Sequence, residues 1–508
     1  MKPARPLSLA LSFVLLMNSA SLLAQSSMNL SIRDTAGPVI DRNIYGHFSE
    51  DLGRCIYDGF WTGEKIRMDV VEALKKIKVP VLRWPGGCFA DQYHWRDGIG
   101  PRKDRKKTIN TTWGMVVEDN SFGTHEFLEL CDLLGAQPYI AGNVGSGTPE
   151  EMQNWLEYLN FNGNSTLADL RRQNGHKEPY NVSFWGVGNE SWGCGGSMTP
   201  EYYANEYRRY SEFCKNYPGS KLKLIASGAN SDDYNWTDVV MKNISLWNTW
   251  GISMHYYTLV GDWNHKGSAT QFGEDGYFKA LQGALHIEDL INKHSAIMDK
   301  YDPAKKVALV VDEWGIWTDP EPGSKPGFLY QQNSMRDALI AASSLNIFNN
   351  HSDRIKMANL AQTVNVLQAL VLTEKDKMLL TPTYYVFDLY KVHQGAKSLV
   401  LNFYSPDYSF GGQRIPAVNA SASRDGNTTH ISLVNLDPTK KITIRSSLAG
   451  IPFSSVQGQV LTSAKYTDIN TFDKPNVVKN TAFNGARKDG DDLVVDMPPM
   501  SVVVLELK

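Results

Sequence analysis

The stretch Val182-Ser-Phe-Trp-Gly-Val-Gly-Asn-Glu190 is a β-rich apolar run that ends in a glutamate. A second run, Val307-Ala-Leu-Val-Val-Asp-Glu313, ends in the same way. Their continuous rather than alternating apolarity is typical of parallel strands that are covered on both faces. Each run is followed by Gly and Trp residues and then by a helical pattern, which predicts that both glutamates lie at the carboxyl ends of parallel strands.

Glu190 and Glu313 are costly residues at such positions, because an unpaired carboxylate loses its hydration at the end of a buried strand. One such glutamate could be a helix N-cap or a member of a structural ion pair. Two of them favour a catalytic carboxyl pair if the fold brings the two strand ends together. A parallel barrel does so, because its active site lies at the carboxyl ends of the strands.

Residues 41 to 365 alternate short β-like runs with amphipathic helices, which is typical of βα units. The eight predicted strands cover residues 44–48, 79–84, 138–143, 182–190, 222–227, 251–257, 307–313 and 355–362. The predicted helices cover residues 67–77, 124–134, 149–159, 200–217, 277–301 and 334–349. This pattern predicts a closed (β/α)₈ TIM barrel over residues 41–380, with Glu190 ending strand four and Glu313 ending strand seven.

The pattern changes after about residue 380, where helical patterns stop. Short β-rich runs, such as residues 428–436 and 501–507, alternate with Gly, Pro, Asn and Asp. This predicts a C-terminal antiparallel β-sandwich domain over residues 381–508. Residues 28–33 also alternate, so the N-terminal strand is expected to complete the sandwich, with residues 28–40 joining that domain. The predicted fold class is therefore α/β, a TIM barrel with a C-terminal β-sandwich.

Composition restricts the function. The formal net charge is −3 and no basic stripe is visible, so a nucleic-acid partner is not expected. Many of the 13 Trp lie beside predicted strand ends, where sugar-binding clefts use such rings as apolar platforms. The 11 His form no HExxH motif and the 5 Cys show no CxxC zinc spacing, so neither a metal nor another cofactor is expected.

The N-terminus has the order of a secretory leader. Lys2 and Arg5 precede an apolar run over residues 7–16, and small residues lead to Ala24. This order predicts a signal peptide over residues 1–24 and an exported protein, periplasmic or secreted. The apolar run is too short for a membrane span. The odd number of cysteines would leave at least one thiol free.

A carboxyl pair in a barrel is suited to retaining glycoside hydrolysis. In that chemistry one carboxylate is the nucleophile and a second carboxyl acts as acid and then as base, about 5 Å away. The Asn189 amide could bind a sugar hydroxyl beside the reacting carbon. The segment His255-Tyr256-Tyr257, at the end of strand six, could place a phenol beside Glu313.

Six motifs, taken in order, identify a family. They are Ile44-Tyr-Gly-His-Phe-Ser-Glu50, Leu82-Arg-Trp-Pro-Gly-Gly-Cys-Phe89, His94-Trp-Arg-Asp-Gly-Ile-Gly-Pro101, Gly188-Asn-Glu190, His255-Tyr-Tyr257 and Asp312-Glu-Trp314. With these motifs the chain resembles the α-L-arabinofuranosidases of glycoside hydrolase family 51 over about residues 28–508.

The resemblance implies roles for particular residues. Glu190 would be the acid/base, Glu313 the nucleophile, and Glu50 a contact of the arabinose ring. The residues implied to line the arabinose subsite are Cys88, Asn189, Tyr257 and Gln362, with Trp317 toward the leaving group. The implied activity is retaining and exo-acting. It removes terminal non-reducing α-L-arabinofuranosyl residues from arabinose-containing plant polysaccharides or oligosaccharides, as in arabinan degradation.

Several alternatives stay open at the level of sequence. Cys88 could be only a small residue in a Gly-Gly turn, and Gln362 could only satisfy loop backbone groups. Arg83 could keep a catalytic carboxylate ionised or belong to a structural ion pair. Another retaining activity, such as a β-xylosidase or an endoglucanase, is the nearest rival, and a non-catalytic sugar-binding protein is a more distant one. The natural polymer, and whether the chain forms a homo-oligomer, are left open.

Overall fold

A computed structural model describes residues 26–508, so the leader predicted over residues 1–24 lies outside the described residues. Eight parallel strands form a closed barrel in chain order. They are Gly46–Phe48, Val81–Trp84, Gln137–Gly142, Phe184–Val187, Lys223–Asn230, Gly251–Thr258, Ala308–Ile316 and Ile355–Ala361. The predicted (β/α)₈ barrel is confirmed, and the strands are called barrel strands one to eight below.

Helices follow the barrel strands and cover the barrel. They are Met68–Lys76, Thr124–Leu134, Pro149–Asn160, Thr166–Gln173, Pro200–Phe213, Tyr234–Asn243, Glu274–Leu285, Ile287–Tyr301, Met335–Asn350 and Pro382–Tyr390. Short 3₁₀ turns lie at Arg42–Tyr45, Cys88–Asp91, Trp95–Gly98, Arg102–Asp104, Leu246–Asn248, Pro326–Phe328 and Lys391–His393. The helix predicted over residues 277–301 is two helices that meet at His286.

The helix Pro382–Tyr390 corrects the expectation that helical patterns stop near residue 380. Seven of its nine residues are buried, so it has no polar stripe from which amphipathic periodicity could be recognised. It follows barrel strand eight, so the eighth βα unit extends past residue 380. Thr381 caps its first turn by accepting a hydrogen bond from the Tyr384 amide.

The barrel interior is packed rather than hollow. One apolar cluster takes residues from barrel strands two, three, four, five, seven and eight: Val81, Tyr139, Phe184, Ile225, Ala308, Val310 and Met357. Side chains two residues apart on a strand share a face. Arg83 and Asp312 therefore lie one layer above Val81 and Val310, toward the carboxyl ends of the strands. The apolar layer is the floor beneath a charged layer.

The second domain is a mostly antiparallel sheet of ten strands. In spatial order these are Thr481–Ala482, Val456–Thr462, Ser501–Leu507, Thr428–Asn435, Val418–Asp425, Lys397–Phe403, Ser26–Val39, Ile442–Ala449, Asp492–Met497 and Ala486–Asp489. The N-terminal strand Ser26–Val39 runs antiparallel to Lys397–Phe403 and parallel to Ile442–Ala449. This confirms that the N-terminal strand completes the β-sandwich domain.

Three further pairs of strands form small hairpins: Thr108–Asn110 with Val116–Glu118, Val371–Glu374 with Lys377–Leu380, and Asp407–Phe410 with Gln413–Pro416. The first of these belongs to the long insertion after barrel strand two. Within residues 26–508, no helix is both long and apolar enough to cross a membrane.

The two domains share one buried helix. Helix Met335–Asn350 is buried along nearly its whole length, between the barrel and strand Val418–Asp425. Asn349 Nδ2 donates to Ser421 Oγ at 3.1 Å, and Ser421 Oγ donates to Asn346 Oδ1 at 2.7 Å. Polar groups that are buried and paired in this way fix the position of the sandwich against the barrel.

Candidate active site

Glu313 lies within barrel strand seven and is held from two sides. Arg83 NH1 donates to Glu313 Oε1 at 2.7 Å, and the Tyr257 hydroxyl donates to Glu313 Oε2 at 2.8 Å. The phenol that the sequence placed beside the strand-seven carboxylate therefore contacts it. Arg83 also contacts Asp312, with 3.8 Å between Arg83 Nε and Asp312 Oδ2.

Glu190 lies just beyond barrel strand four, in a turn rather than in a strand. Its φ is +40°, which is a strained conformation for a residue with a side chain. The amides of Gly193 and Gly195 donate to the Glu190 carbonyl at 2.7 and 3.1 Å. The turn therefore closes on the backbone of Glu190.

The two glutamates meet at the mouth of the barrel. One oxygen of Glu190, one oxygen of Glu313 and one nitrogen of His255 all lie within 4.8 Å of one another. His255 Nδ1 is 2.9 Å from Glu190 Oε1 and 3.5 Å from Glu313 Oε2. The chain thus brings together the two carboxyl groups that the sequence singled out.

His255 carries a positive charge in this cluster. Burial alone would lower the pKa of His255, but the neighbouring Glu313 and Asp312 carboxylates outweigh burial and raise it to about 10. His255 Nε2 forms an ion pair with Asp312, with 2.8 Å between Nε2 and Oδ1. Burial would raise the pKa of Asp312, and Arg83 and His255 hold it below its ordinary value.

The environment of Glu190 raises the pKa of its carboxyl group above the ordinary value of a glutamate in water. Burial raises the pKa of Glu190, and the charge of Glu313 adds to this effect. The hydrogen bond from His255 opposes it. A carboxyl group with a raised pKa keeps its proton closer to neutral pH, as general acid catalysis requires.

Glu50 lines the same cavity as Glu190 and Glu313. The Phe89 amide and Trp113 Nε1 donate to Glu50 Oε1 at 2.9 and 2.8 Å, and Gln362 Nε2 donates to Glu50 Oε2 at 3.1 Å. Burial and the charge of Glu313 raise the pKa of Glu50 to about 7. Gln362, which sequence reasoning treated as an uncertain site residue, is therefore joined to Glu50 side chain to side chain.

Asn189 is oriented by Arg83. Arg83 NH2 donates to Asn189 Oδ1 at 2.6 Å. Asn189 Nδ2 is buried and has no hydrogen-bond partner within the described part of the chain. One guanidinium thus fixes the residue before Glu190 and also Glu313, and it leaves the amide donor of Asn189 unused.

One cavity of about 260 Å³ contains most of these groups. Of the predicted site residues, Glu50, Cys88, Glu190, Tyr257, Glu313, Gln362 and Trp317 line it, whereas Asn189 does not. The Trp317 ring packs edge-on against Tyr257 and against Trp263, with centroids 5.0 and 5.5 Å apart. Trp263 is 54% exposed, so the aromatic side of the cavity faces solvent.

Cys88 is bonded to Cys194 by a disulfide. The bond joins the loop after barrel strand two to the turn after Glu190, across 106 residues of sequence. Cys55, Cys131 and Cys214 are free and buried. The spacing of the cysteines did not predict this pairing, because it depends on two loops that meet only in the folded barrel.

Sequence reasoning also missed His255 as a charged partner, Trp113 as a donor to Glu50, and Trp192 and Trp263 as lining residues. Trp113 lies between the two strands of the hairpin in the long insertion. Insertions have no periodic pattern that would place them over a barrel mouth. His255 could have been found, because it precedes Tyr256 and Tyr257 at a strand end.

Two family models match this chain: the "Alpha-L-arabinofuranosidase 1 domain" over residues 73–270 and the "Alpha-L-arabinofuranosidase C-terminal domain" over residues 312–501. A Bacteroides ovatus protein named an intracellular exo-α-L-arabinofuranosidase is 50% identical, covering 98% of this chain and 99% of its own. A crystal structure of the family 51 arabinofuranosidase from Xanthomonas axonopodis pv. citri aligns with a TM-score of 0.94 and 48% identity, covering 95% of this chain and 100% of that one.

The chain belongs to the family 51 α-L-arabinofuranosidases. It is a glycoside hydrolase, and the resemblance inferred from its six motifs is confirmed. The Thermotoga maritima α-L-arabinofuranosidase, solved as an arabinose complex, also aligns, with a TM-score of 0.82 and 33% identity over 94% of this chain and 99% of that one.

The comparison with the Bacteroides ovatus protein contradicts the prediction of export. The Bacteroides ovatus arabinofuranosidase matches almost the entire chain and is named an intracellular enzyme, so a secreted or periplasmic location is not supported. A leader is recognised from two basic residues, a short apolar run and small residues. Such a short, unspecific pattern also arises in chains that are not exported, and it has less weight than a full-length relative.

The Gly86-Gly87 turn generates a prediction, because it lies against the carboxylates of this arabinofuranosidase. A methyl group on Gly87 would lie 2.7 Å from Glu313 Oε1, so Gly87→Ala should displace Glu313. A displacement of about 1 Å at a reacting group costs about 100-fold in rate. We expect kcat on an aryl α-L-arabinofuranoside to fall by about that factor while the fold is kept.

Gly273→Ala is the matched control, because no heavy atom lies within 4 Å of the added methyl group in the described chain. Its kcat should equal that of the unchanged protein. Equal kcat values for Gly87→Ala and Gly273→Ala would show that Glu313 is not confined by this turn.

Proposed function

We propose that the protein is a retaining, exo-acting α-L-arabinofuranosidase. It removes terminal non-reducing α-L-arabinofuranosyl residues from arabinose-containing plant polysaccharides or oligosaccharides. The observation that carries the mechanism is the separation of the carboxyl groups, since an oxygen of Glu190 and an oxygen of Glu313 lie within 4.8 Å of each other. Retaining enzymes keep these groups about 5–5.5 Å apart, whereas inverting enzymes leave room for a water at about 6.5–9.5 Å.

The surroundings of the two glutamates support different roles. Glu313 is the nucleophile in this proposal, because Arg83 and Tyr257 both donate to it and hold the carboxylate in one orientation. Glu190 is the acid/base, because burial raises its pKa and so favours the proton that the leaving oxygen needs. Two carboxyl groups in contrasting environments divide the acid and nucleophile roles.

The remaining polar groups support recognition of one sugar unit. Glu50 and Gln362 line the cavity and offer acceptors to ring hydroxyls, and Gln362 Oε1 is buried without a hydrogen-bond partner in the described chain. Cys88 lines the same space. Unpaired buried polar groups are costly, and hydroxyls of a bound arabinofuranosyl ring would satisfy them.

The gradient of exposure along the cavity supports exo action. Glu50 is 2% exposed and Gln362 is 1% exposed, whereas Trp263, which also lines the cavity, is 54% exposed. A terminal sugar would occupy the buried side, and the leaving group would extend past Trp317 toward solvent. The word "exo" in the name of the Bacteroides ovatus relative supports the same mode.

Substrate class is tested against the rival activities. We expect kcat/KM to be at least 100 times higher on aryl α-L-arabinofuranosides than on aryl β-xylosides and β-glucosides. We also expect arabinan and arabinoxylan to release arabinose without shorter polymer fragments. A ladder of oligosaccharides would instead establish an endo-acting enzyme, and equal rates on the β-xyloside would establish a xylosidase. Absence of turnover on all of these substrates would favour the remaining alternative, a non-catalytic sugar-binding protein.

The roles of the two glutamates are separated by azide. With Glu190→Ala, an aryl leaving group that departs without protonation should still form the glycosyl-enzyme, which then accumulates because water lacks a base. We expect a burst of released phenol followed by a slow phase that azide accelerates, with an arabinosyl azide of the same anomeric configuration as the substrate.

Glu313→Ala is the comparison variant, because it cannot form the glycosyl-enzyme. It should show no burst, and any azide product should have the inverted configuration, as read by NMR. A retained azide product from Glu313→Ala, or no burst from Glu190→Ala, would reverse or remove the assigned roles.

The pH profile depends on His255. Its hydrogen bond and positive charge lower the pKa of Glu190, so removing them should raise that pKa further. Since Glu190 must be protonated to act as an acid, the basic limb of kcat/KM on an oligosaccharide should move to higher pH in His255→Gln. Tyr256→Phe is the control, because the Tyr256 hydroxyl donates to the Gly283 carbonyl, away from the carboxylates. A basic limb that stays in place or moves to lower pH in His255→Gln would contradict this coupling.

A further inference from the structure

The Cys88–Cys194 disulfide lies against the Glu190 carboxyl group. Cys194 Sγ is 3.3 Å and Cys88 Sγ is 3.8 Å from the same oxygen, Glu190 Oε2. Cys194 is exposed and Cys88 is half-buried, so a small reductant can reach the bond from the mouth of the cavity. The remaining cysteines of the described chain are buried.

These three side chains have the geometry of a thiolate–carboxylate metal site. In a tetrahedral zinc site the ligand bonds are about 2.3 Å to sulfur and 2.0 Å to oxygen, so sulfur and oxygen ligands lie about 3.5 Å apart. The observed separations of 3.3 and 3.8 Å between the two sulfurs and Glu190 Oε2 bracket that value. A disulfide holds its two sulfurs at about 2 Å, whereas two sulfur ligands of one zinc lie about 3.8 Å apart.

We propose that reduction of Cys88–Cys194 creates a site for a thiophilic divalent cation, with Zn²⁺ as the chemical type, in which both thiolates and Glu190 Oε2 are ligands. The cation then removes Glu190 from catalysis and arrests hydrolysis. The disulfide form has no thiolate to offer, so it does not bind the cation at this place. The redox state of the Cys88–Cys194 pair therefore decides whether the cation inhibits the enzyme.

The chemistry balances with a thiol as the reductant. Two thiol molecules give one external disulfide, and the Cys88–Cys194 bond becomes two thiols. Binding of Zn²⁺ then releases two protons, one from each thiol, because the ligands are thiolates. Neither step needs any other group.

The surrounding chain permits the small rearrangement. Gly193, Gly195 and Gly196 follow Glu190 in the turn that carries Cys194, and a turn rich in glycine adjusts at low steric cost. The hydrogen bond between His255 and Glu190 uses Oε1, so Oε2 is the oxygen left for the metal. Three protein ligands leave the fourth position of a tetrahedral site to water.

The test compares two redox states of the full chain. One sample is oxidised, and the other is reduced with an excess of a small thiol and desalted under nitrogen. We expect the reduced protein to bind one Zn²⁺ per chain and the oxidised protein to bind none by elemental analysis after gel filtration. Co²⁺ in place of Zn²⁺ should give a thiolate-to-metal charge-transfer band in the reduced sample, which reports the site independently of activity.

Activity follows the same pattern. Saturating Zn²⁺ should lower the hydrolysis of an aryl α-L-arabinofuranoside at least tenfold in the reduced sample, with recovery on adding EDTA, and should leave the oxidised sample unchanged. Cys194→Ser should lose the charge-transfer band and the inhibition under reducing conditions. Cys131→Ala, which removes a buried free thiol elsewhere, should keep both.

Specific outcomes overturn the proposal. Equal inhibition of the oxidised sample would place the metal on Glu190, His255 and Glu313 instead, which also lie close together. Three other outcomes would refute the proposal. They are a reduced sample without bound Zn²⁺, a bound metal that does not inhibit, and a Cys194→Ser variant that is inhibited as strongly as the unchanged protein. The metal stoichiometry and the Co²⁺ band do not depend on the catalytic roles, so failure of those roles is recognised separately.

Discussion

Arg83 is a buried guanidinium on which the arrangement of the active site depends. It is 1% exposed, and it contacts Glu313, Asp312 and Asn189 at once. A buried charge is tolerated only when it is paired and its hydrogen bonds are made. The carboxylates at the end of barrel strand seven supply that pairing, and Arg83 in turn makes it possible for two adjacent acidic residues to lie in a barrel mouth. Removing the guanidinium would leave Asp312 and Glu313 buried side by side, with the His255 imidazolium to balance both charges.

His255 extends this charge balance toward Glu190. Its imidazolium lies between Asp312 on one side and the two glutamates on the other, with nitrogen–oxygen distances of 2.8 to 3.5 Å. Two buried cations therefore face the carboxylates of Asp312 and Glu313, while burial and the charge of Glu313 raise the pKa of Glu190. Glu190 is thus the member of the cluster best suited to carry an exchangeable proton.

The sequence was sufficient for the parts of the structure that repeat. The eight barrel strands were recognised because each is an apolar run bounded by turns, and strand order then placed Glu190 and Glu313 at one mouth. The helix Pro382–Tyr390 was missed because it is buried nearly all round and lacks polar periodicity. Contacts between loops, such as Cys88 with Cys194 and Trp113 with Glu50, could not be predicted, since neither partner belongs to a periodic element.

The two glutamates differ in their local backbone structure, and this difference suits the proposed chemistry. Glu313 belongs to the fully buried strand Ala308–Ile316, where it pairs with His255 of the neighbouring barrel strand. A nucleophile must approach the reacting carbon along one direction, so a fixed strand position favours it. Glu190 lies in a left-handed turn stabilised by two glycine amides, outside any strand. An acid/base must serve first the leaving oxygen and then a water molecule, and the contact from His255 uses only Glu190 Oε1, so Oε2 is open to both. Cys194 lies four residues further along the chain in the same turn, with its Sγ 3.3 Å from Glu190 Oε2, so a chemical change there would act on Glu190 and not on Glu313.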